Sequence, residues 1–181
     1  MQHRDNRIKK MVIAALLIAI GILIPIISPL KIVLEPASFT LASHVPVFIA
    51  VFISPLTALA VSVGSALGFL LAGLPLVVTL RALSHVLFAV LGAYILKRRP
   101  QIMSSTPKTL LFGLLLSVIH AVSEVAVVIP FYFGNGMGTA YYAKGFVVSV
   151  ILLVGVGTIV HSMVDYLISL LIWKPLKKVM N

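Results

Sequence analysis

The chain has 181 residues, of which 61% are hydrophobic and 10% charged, with a formal net charge of +10 and a mean hydropathy of +1.18. A soluble domain is about half apolar and about one quarter charged, so this composition excludes an ordinary water-soluble fold and points to one compact polytopic all-α integral membrane domain over 1–181. Cysteine is absent, which excludes disulfides and thiolate chemistry.

A basic segment, 1–10, carries Arg4, Arg7, Lys9 and Lys10 and leads into an uncharged run from Met11 to Ile27. No small-residue cleavage site follows this run, so it is expected to stay as a mature first span. Pro25 and Pro29 end it. Ala15 and Ala19 are four residues apart and share one helix face, a small-residue spacing that lets another helix approach closely in lipid; the small face is expected to continue to Gly21. The same spacing also suits a contact within the chain. Residues 28–44 are too polar for a span and too apolar for a solvated linker, which predicts a structured, partly extended loop across the membrane face.

A short second span is expected to begin near Leu41 or Ala42 and run to Ile53, with Ser54-Pro55 as the turn. The third, Leu56 to Ala72, carries Ser62, Gly64, Ser65, Ala66 and Gly68 as a face for tight packing. The fourth runs from Leu76 to Leu96 and is stopped by Lys97-Arg-Arg-Pro100, with a cytoplasmic loop over 97–108. The fifth covers Thr109 to Pro130. An aromatic, glycine-rich loop follows, from Phe131 to Gly138, and the sixth span covers Phe146 to Trp173 before a basic tail, 174–181.

Six transmembrane helices put both termini on one side. The N-terminal segment, the 97–108 loop (Lys97, Arg98, Arg99, Lys108) and the C-terminal tail (Lys174, Lys177, Lys178) hold eleven of the fourteen basic residues. By the positive-inside rule that side is cytoplasmic. The charge therefore serves topology and anionic headgroups rather than nucleic acid. No phosphate loop or Walker motif is present, so the chain does not hydrolyse ATP itself, and no nucleophile–base pair marks an enzyme. The expected location is the plasma membrane of a prokaryote, crossed several times.

Charges inside a span cost about 2.5–3.5 kcal/mol each on insertion scales, so they face a cavity or a partner. Here they form three i,i+4 pairs: Arg81/His85, His120/Glu124 and His161/Asp165. This predicts a polar interior between the fourth, fifth and sixth spans, to which the first three add nothing. Arg81 and Glu124 are placed to meet near the outer side, either as a packing salt bridge or as a clamp in which Arg81 takes an anionic group. His161 and Asp165 lie deeper and read as a structural hydrogen bond with each other. Tyr132, Tyr141 and the amide of Asn135 form either an interfacial aromatic belt or a stacking wall for a flat ligand. The i,i+4 histidine–carboxylate pairs also admit a metal as cargo, but no metal ligand set is assigned and no cofactor is called for.

The whole chain resembles the substrate-binding S component of an energy-coupling factor (ECF) vitamin transporter. The resemblance rests on length, six spans, basic ends, Ala15-Leu-Leu-Ile-Ala19 as the first-helix alanine motif, and Ser43-His-Val-Pro-Val-Phe-Ile-Ala-Val-Phe-Ile-Ser-Pro55 followed by the small residues of 62–73. It implies docking of Ala15 and Ala19 on a membrane coupling (T) subunit driven by two cytosolic ATPase subunits. It also implies an extracellular lid over 28–44, with Glu35, Phe39 and His44, above a vitamin site among the last three helices. In that site Arg81, His85, His120, Glu124, Tyr132, Asn135 and Tyr141 are ligand candidates by polarity and depth. A flat anionic vitamin, niacin, uses Arg81 and the aromatics together; pantothenate is the alternative. A metal-uptake membrane component and a stand-alone secondary transporter of a small organic acid are the rival classes.

Overall fold

The computed structural model describes the backbone of residues 2–34 and 37–180. In chain order come α1 (Gln2–Ile27), strands β1 (Lys31–Leu34) and β2 (Ala37–Thr40), α2 (Val45–Ile53), α3 (Pro55–Leu71), α4 (Leu76–Arg98), α5 (Thr106–Phe133), α6 (Thr139–Ala143) and α7 (Gly157–Met180). A 3-10 turn, Pro100–Ser104, precedes α5, and a segment of wider π-type turns, Val147–Val156, runs into α7. Among the described residues the fold is helical apart from one antiparallel hairpin, in which Lys31 faces Thr40 and Ile32 faces Phe39. That hairpin is the partly extended loop expected after the first helix.

Among the described residues, four helical segments are long and apolar enough to cross a membrane: Arg7–Ile27, Leu76–Arg98, Thr106–Phe133 and Val147–Lys178. Their outward faces carry Leu16, Leu111, Val122 and Leu171, all exposed, while Ser62, Ser117, Ser162, Asp165 and Ser169 are fully buried. Apolar side chains outside and hydroxyls inside is the arrangement that lipid as solvent favours, since polar groups find partners only within the bundle.

α2 departs from the expected second span. It starts at Val45, because 41–44 form turns around Ala42, whose φ is +68°, and its nine residues reach about 14 Å at 1.5 Å per residue. The helix is the buried centre of the bundle: Phe48, Ala50 and Val51 are sealed, and Phe48 meets Phe88 and Tyr166 at ring distances of 5.3 Å each. Ser54 then caps α3, its Oγ accepting from the Thr57 amide at 3.1 Å, with Pro55 in the first turn.

Close approaches set the other contacts. Ile18 and Ile22 of α1 fit over Gly64 and Gly68 of α3, where a Cβ on Gly64 would stand 2.7 Å from Ile18 Cδ1. Gly21 also points inward, against Ser65, so it does not extend the face of Ala15 and Ala19, which stay exposed on the far side of α1. On α5, Gly113 receives the ring of Tyr166, whose hydroxyl donates to the Thr109 carbonyl at 2.9 Å. α5 passes through Pro130 and ends only at Phe133, so the expected loop from Phe131 shrinks to 134–138. One proline near a helix end removes one backbone bond without stopping the helix.

Candidate binding site

α4, α5 and α7 each present one polar stripe, and the stripes face a cavity of about 260 Å³ closed on one side by the β2 end of the hairpin. The periodicity is helical. Arg81, Ser84 and His85 lie at i, i+3 and i+4 on α4; Ser117, His120 and Glu124 at i, i+3 and i+7 on α5; Thr158, His161, Ser162 and Asp165 at i, i+3, i+4 and i+7 on α7.

At one end of the stripe Arg81 Nη2 donates to Glu124 Oε2 at 2.8 Å, and Thr158 Oγ1 donates to the same oxygen at 2.8 Å. The expected meeting of Arg81 with Glu124 is therefore present. The second carboxylate oxygen, Oε1, faces His120 Nε2 at 3.4 Å and His85 Nε2 at 3.6 Å, and neither contact has hydrogen-bond geometry. Arg81 keeps its Nε without a partner among the described residues.

At the other end Asp165 does something different from the expected bond to His161. Its Oδ1 accepts the Ala42 amide at 2.8 Å; its Oδ2 accepts the His44 amide at 2.8 Å and His44 Nδ1–H at 3.1 Å. His161 Nε2 stands 3.5 Å from Asp165 and pairs instead with Ser43 Oγ at 3.1 Å. One buried carboxylate thus holds the turn that leads into α2, and it fixes the positive φ of Ala42 on the way. Asp165 remains structural, as expected, but its partners come from 42–44.

His44 joins the two ends. Its ring lies 4.9 Å from that of His85, 4.6 Å from that of His120 and 4.9 Å from that of His161. The expectation that the first three spans add nothing to the polar interior fails here: the turn before α2 folds inward and brings His44 between the polar groups. Phe39 of the hairpin also lines the cavity, packing on His161 at 5.5 Å and against Gly157. Glu35 falls outside the described residues.

The aromatic candidates sit elsewhere. Tyr132 packs in a cluster with Tyr142 and Phe146, at ring distances of 5.0 and 5.4 Å, and Asn135 is exposed in the turn after α5. Neither lines the cavity. Tyr141 is half-buried beside the same cluster, close enough to Arg81 to feel its charge. The flat wall expected from Tyr132 and Asn135 does not line this cavity: Tyr132 lies eight residues, about two turns, beyond Glu124 on α5, and the rings in the cavity wall are those of Phe39 and Phe69. Sequence reasoning missed Thr158 and Ser162 as site residues, although their spacing from His161 and Asp165 marked them.

The chain is 39% identical over 177 residues to the niacin transporter NiaX of Lactococcus lactis subsp. cremoris (strain MG1363), a match that covers 98% of this chain and 78% of that protein. No family model matches the chain, and no solved structure matches it. Likeness of that degree over nearly the whole chain shows kinship, and the chain belongs to the family of the niacin transporter NiaX.

Proposed function

We propose that this chain is the niacin-binding S component of an ECF-type importer in a prokaryotic plasma membrane, and not an enzyme. The observation that carries the reading is the near full-length similarity to a niacin transporter. The cavity is consistent with it: a small space with a guanidinium, imidazoles and the rings of Phe39 and Phe69, suited to a flat carboxylate.

In this reading the vitamin enters from outside and its carboxylate meets Arg81, whose free Nε and planar fork can hold an anion while Nη2 stays on Glu124. His85 offers a hydrogen bond to the rest of the ligand from the cavity wall, with His120 packed behind it. The segment 28–44 is the lid, with Phe39 and His44 as its inner surface, and Asp165 anchors the lid at its α2 end. Six crossings with both termini cytoplasmic follow from the charge distribution, the second being α2 together with the inward-folded turn before it. Ala15 and Ala19, exposed on α1, form the face for a T subunit, and two cytosolic ATPases supply the work. Binding titration of radiolabelled nicotinate to detergent-solubilised protein tests the ligand; saturable binding that unlabelled nicotinate competes away and pantothenate does not is the expected result. Preference for pantothenate or for no vitamin refutes it.

A further inference from the structure

His44, His85, His120 and Glu124 each offer a donor atom, and these four atoms lie within 4.8 Å of one another. The four residues come from three places in the chain: His44 from the turn before α2, His85 from α4, and His120 and Glu124 from α5. Two features separate them from ordinary buried histidines. First, the inward nitrogens are not satisfied. His85 Nε2 and His120 Nε2 are buried with no hydrogen-bond partner, although the acceptor Glu124 Oε1 is nearby. Second, the outward nitrogens are held. His44 Nδ1–H donates to Asp165, and His120 Nδ1 is paired with Ser162 Oγ at 3.1 Å. Fixing one ring nitrogen on a carboxylate or hydroxyl and turning the other toward its neighbours is how proteins orient metal-binding imidazoles. Glu124 is split in the same way, with Oε2 committed to Arg81 and Thr158 and Oε1 aimed at the histidines.

We propose that His44, His85, His120 and Glu124 Oε1 form a binding site for a first-row divalent cation, in the wall of the same cavity. Three imidazoles and one carboxylate oxygen suit Zn²⁺ or Co²⁺ in tetrahedral geometry, with ligand bonds of about 2.0–2.2 Å. Modest inward rotation of the side chains closes the set. Charge supplies the reason for a cation here. Arg81 is already paired with Glu124 in the cavity wall, which weakens its pull on an anion, and a bound divalent cation adds positive charge beside it. This link to an anionic vitamin rests on the function proposed above; the cation site itself does not.

The probe is Co²⁺, titrated into tag-free, chelator-treated full-length protein in detergent and read by its visible ligand-field absorption, with no vitamin present. One equivalent bound, with the strong bands of a tetrahedral site, is expected. His120→Gln is expected to abolish the bands, and Ser162→Ala, which keeps every ligand, to weaken binding about 10-fold, both with helical content unchanged by circular dichroism. Octahedral weak bands only, or binding that persists in a His85→Gln/His120→Gln variant, overturns the site and assigns the metal to other side chains, His3 and His161 being the histidines outside the set. Nicotinate affinity is measured separately with and without chelator. A drop of more than 10-fold on chelation ties cation to vitamin. Cobalt bands with no nicotinate binding under either condition keep the site and sink the vitamin reading, whereas unchanged nicotinate binding with no cobalt bands does the reverse.

Discussion

Arg81 and Asp165 show how much one buried side chain can carry in a membrane bundle. Arg81→Ala removes the guanidinium that faces the cavity and leaves Glu124 without its counter-charge; nicotinate affinity is expected to fall more than tenfold in a binding titration, about 1.4 kcal/mol or more. Arg81→Lys is expected to recover part of the charge but not the forked geometry. Asp165 accepts three hydrogen bonds from 42–44. In Asp165→Asn one acceptor becomes an amide donor facing other donors, so a loss of about 1–3 kcal/mol is expected, read as a fall in the thermal midpoint of the purified protein. That the two acids are buried was legible from their positions in apolar runs. Which groups they hold was not, because the partners of Asp165 lie more than a hundred residues away and include backbone amides, which leave no mark in sequence.

At the level of elements, the glycines of α3 and the alanines of α1 make opposite predictions. Gly64 and Gly68 form a groove that receives Ile18 and Ile22. Gly68→Leu leaves no room for Ile22 and is expected to destabilise the α1–α3 contact by about 1–3 kcal/mol, measured as a lower thermal midpoint. Ala15 and Ala19 point away from the chain. Ala15→Trp and Ala19→Trp are therefore expected to leave vitamin binding and thermal stability intact while abolishing ATP-dependent uptake in cells; undiminished uptake removes the docking face from α1. The spacing of small residues is the same in both helices. Sequence alone does not tell an internal contact from an outward one, and Gly21, which turned inward, shows the ambiguity resolved one residue at a time.

For the whole molecule, the basic residues gather at the N-terminus, at 97–108 and at the C-terminus, while the hairpin and α6 sit at the opposite ends of their helices. Because the chain has no cysteine, single cysteines report topology cleanly. Ser104→Cys is expected to resist a membrane-impermeant thiol reagent added to intact cells, and Gly136→Cys to react. Reversed labelling overturns the orientation, and labelling of both overturns the even number of crossings.

Composition and helical period were enough to determine an apolar bundle, the helices that build it, the stripes of polar residues on α4, α5 and α7, and the pairing of Arg81 with Glu124. These are properties of local spacing and of the cost of placing charge in lipid, and both are written along the chain. Tertiary structure alone decided that a nine-residue helix occupies the centre, that the turn before it bends inward on Asp165, and that His44 thereby meets three histidines from distant helices. Those contacts depend on how far one segment sinks between others, a balance of packing against the whole bundle that no window of sequence contains.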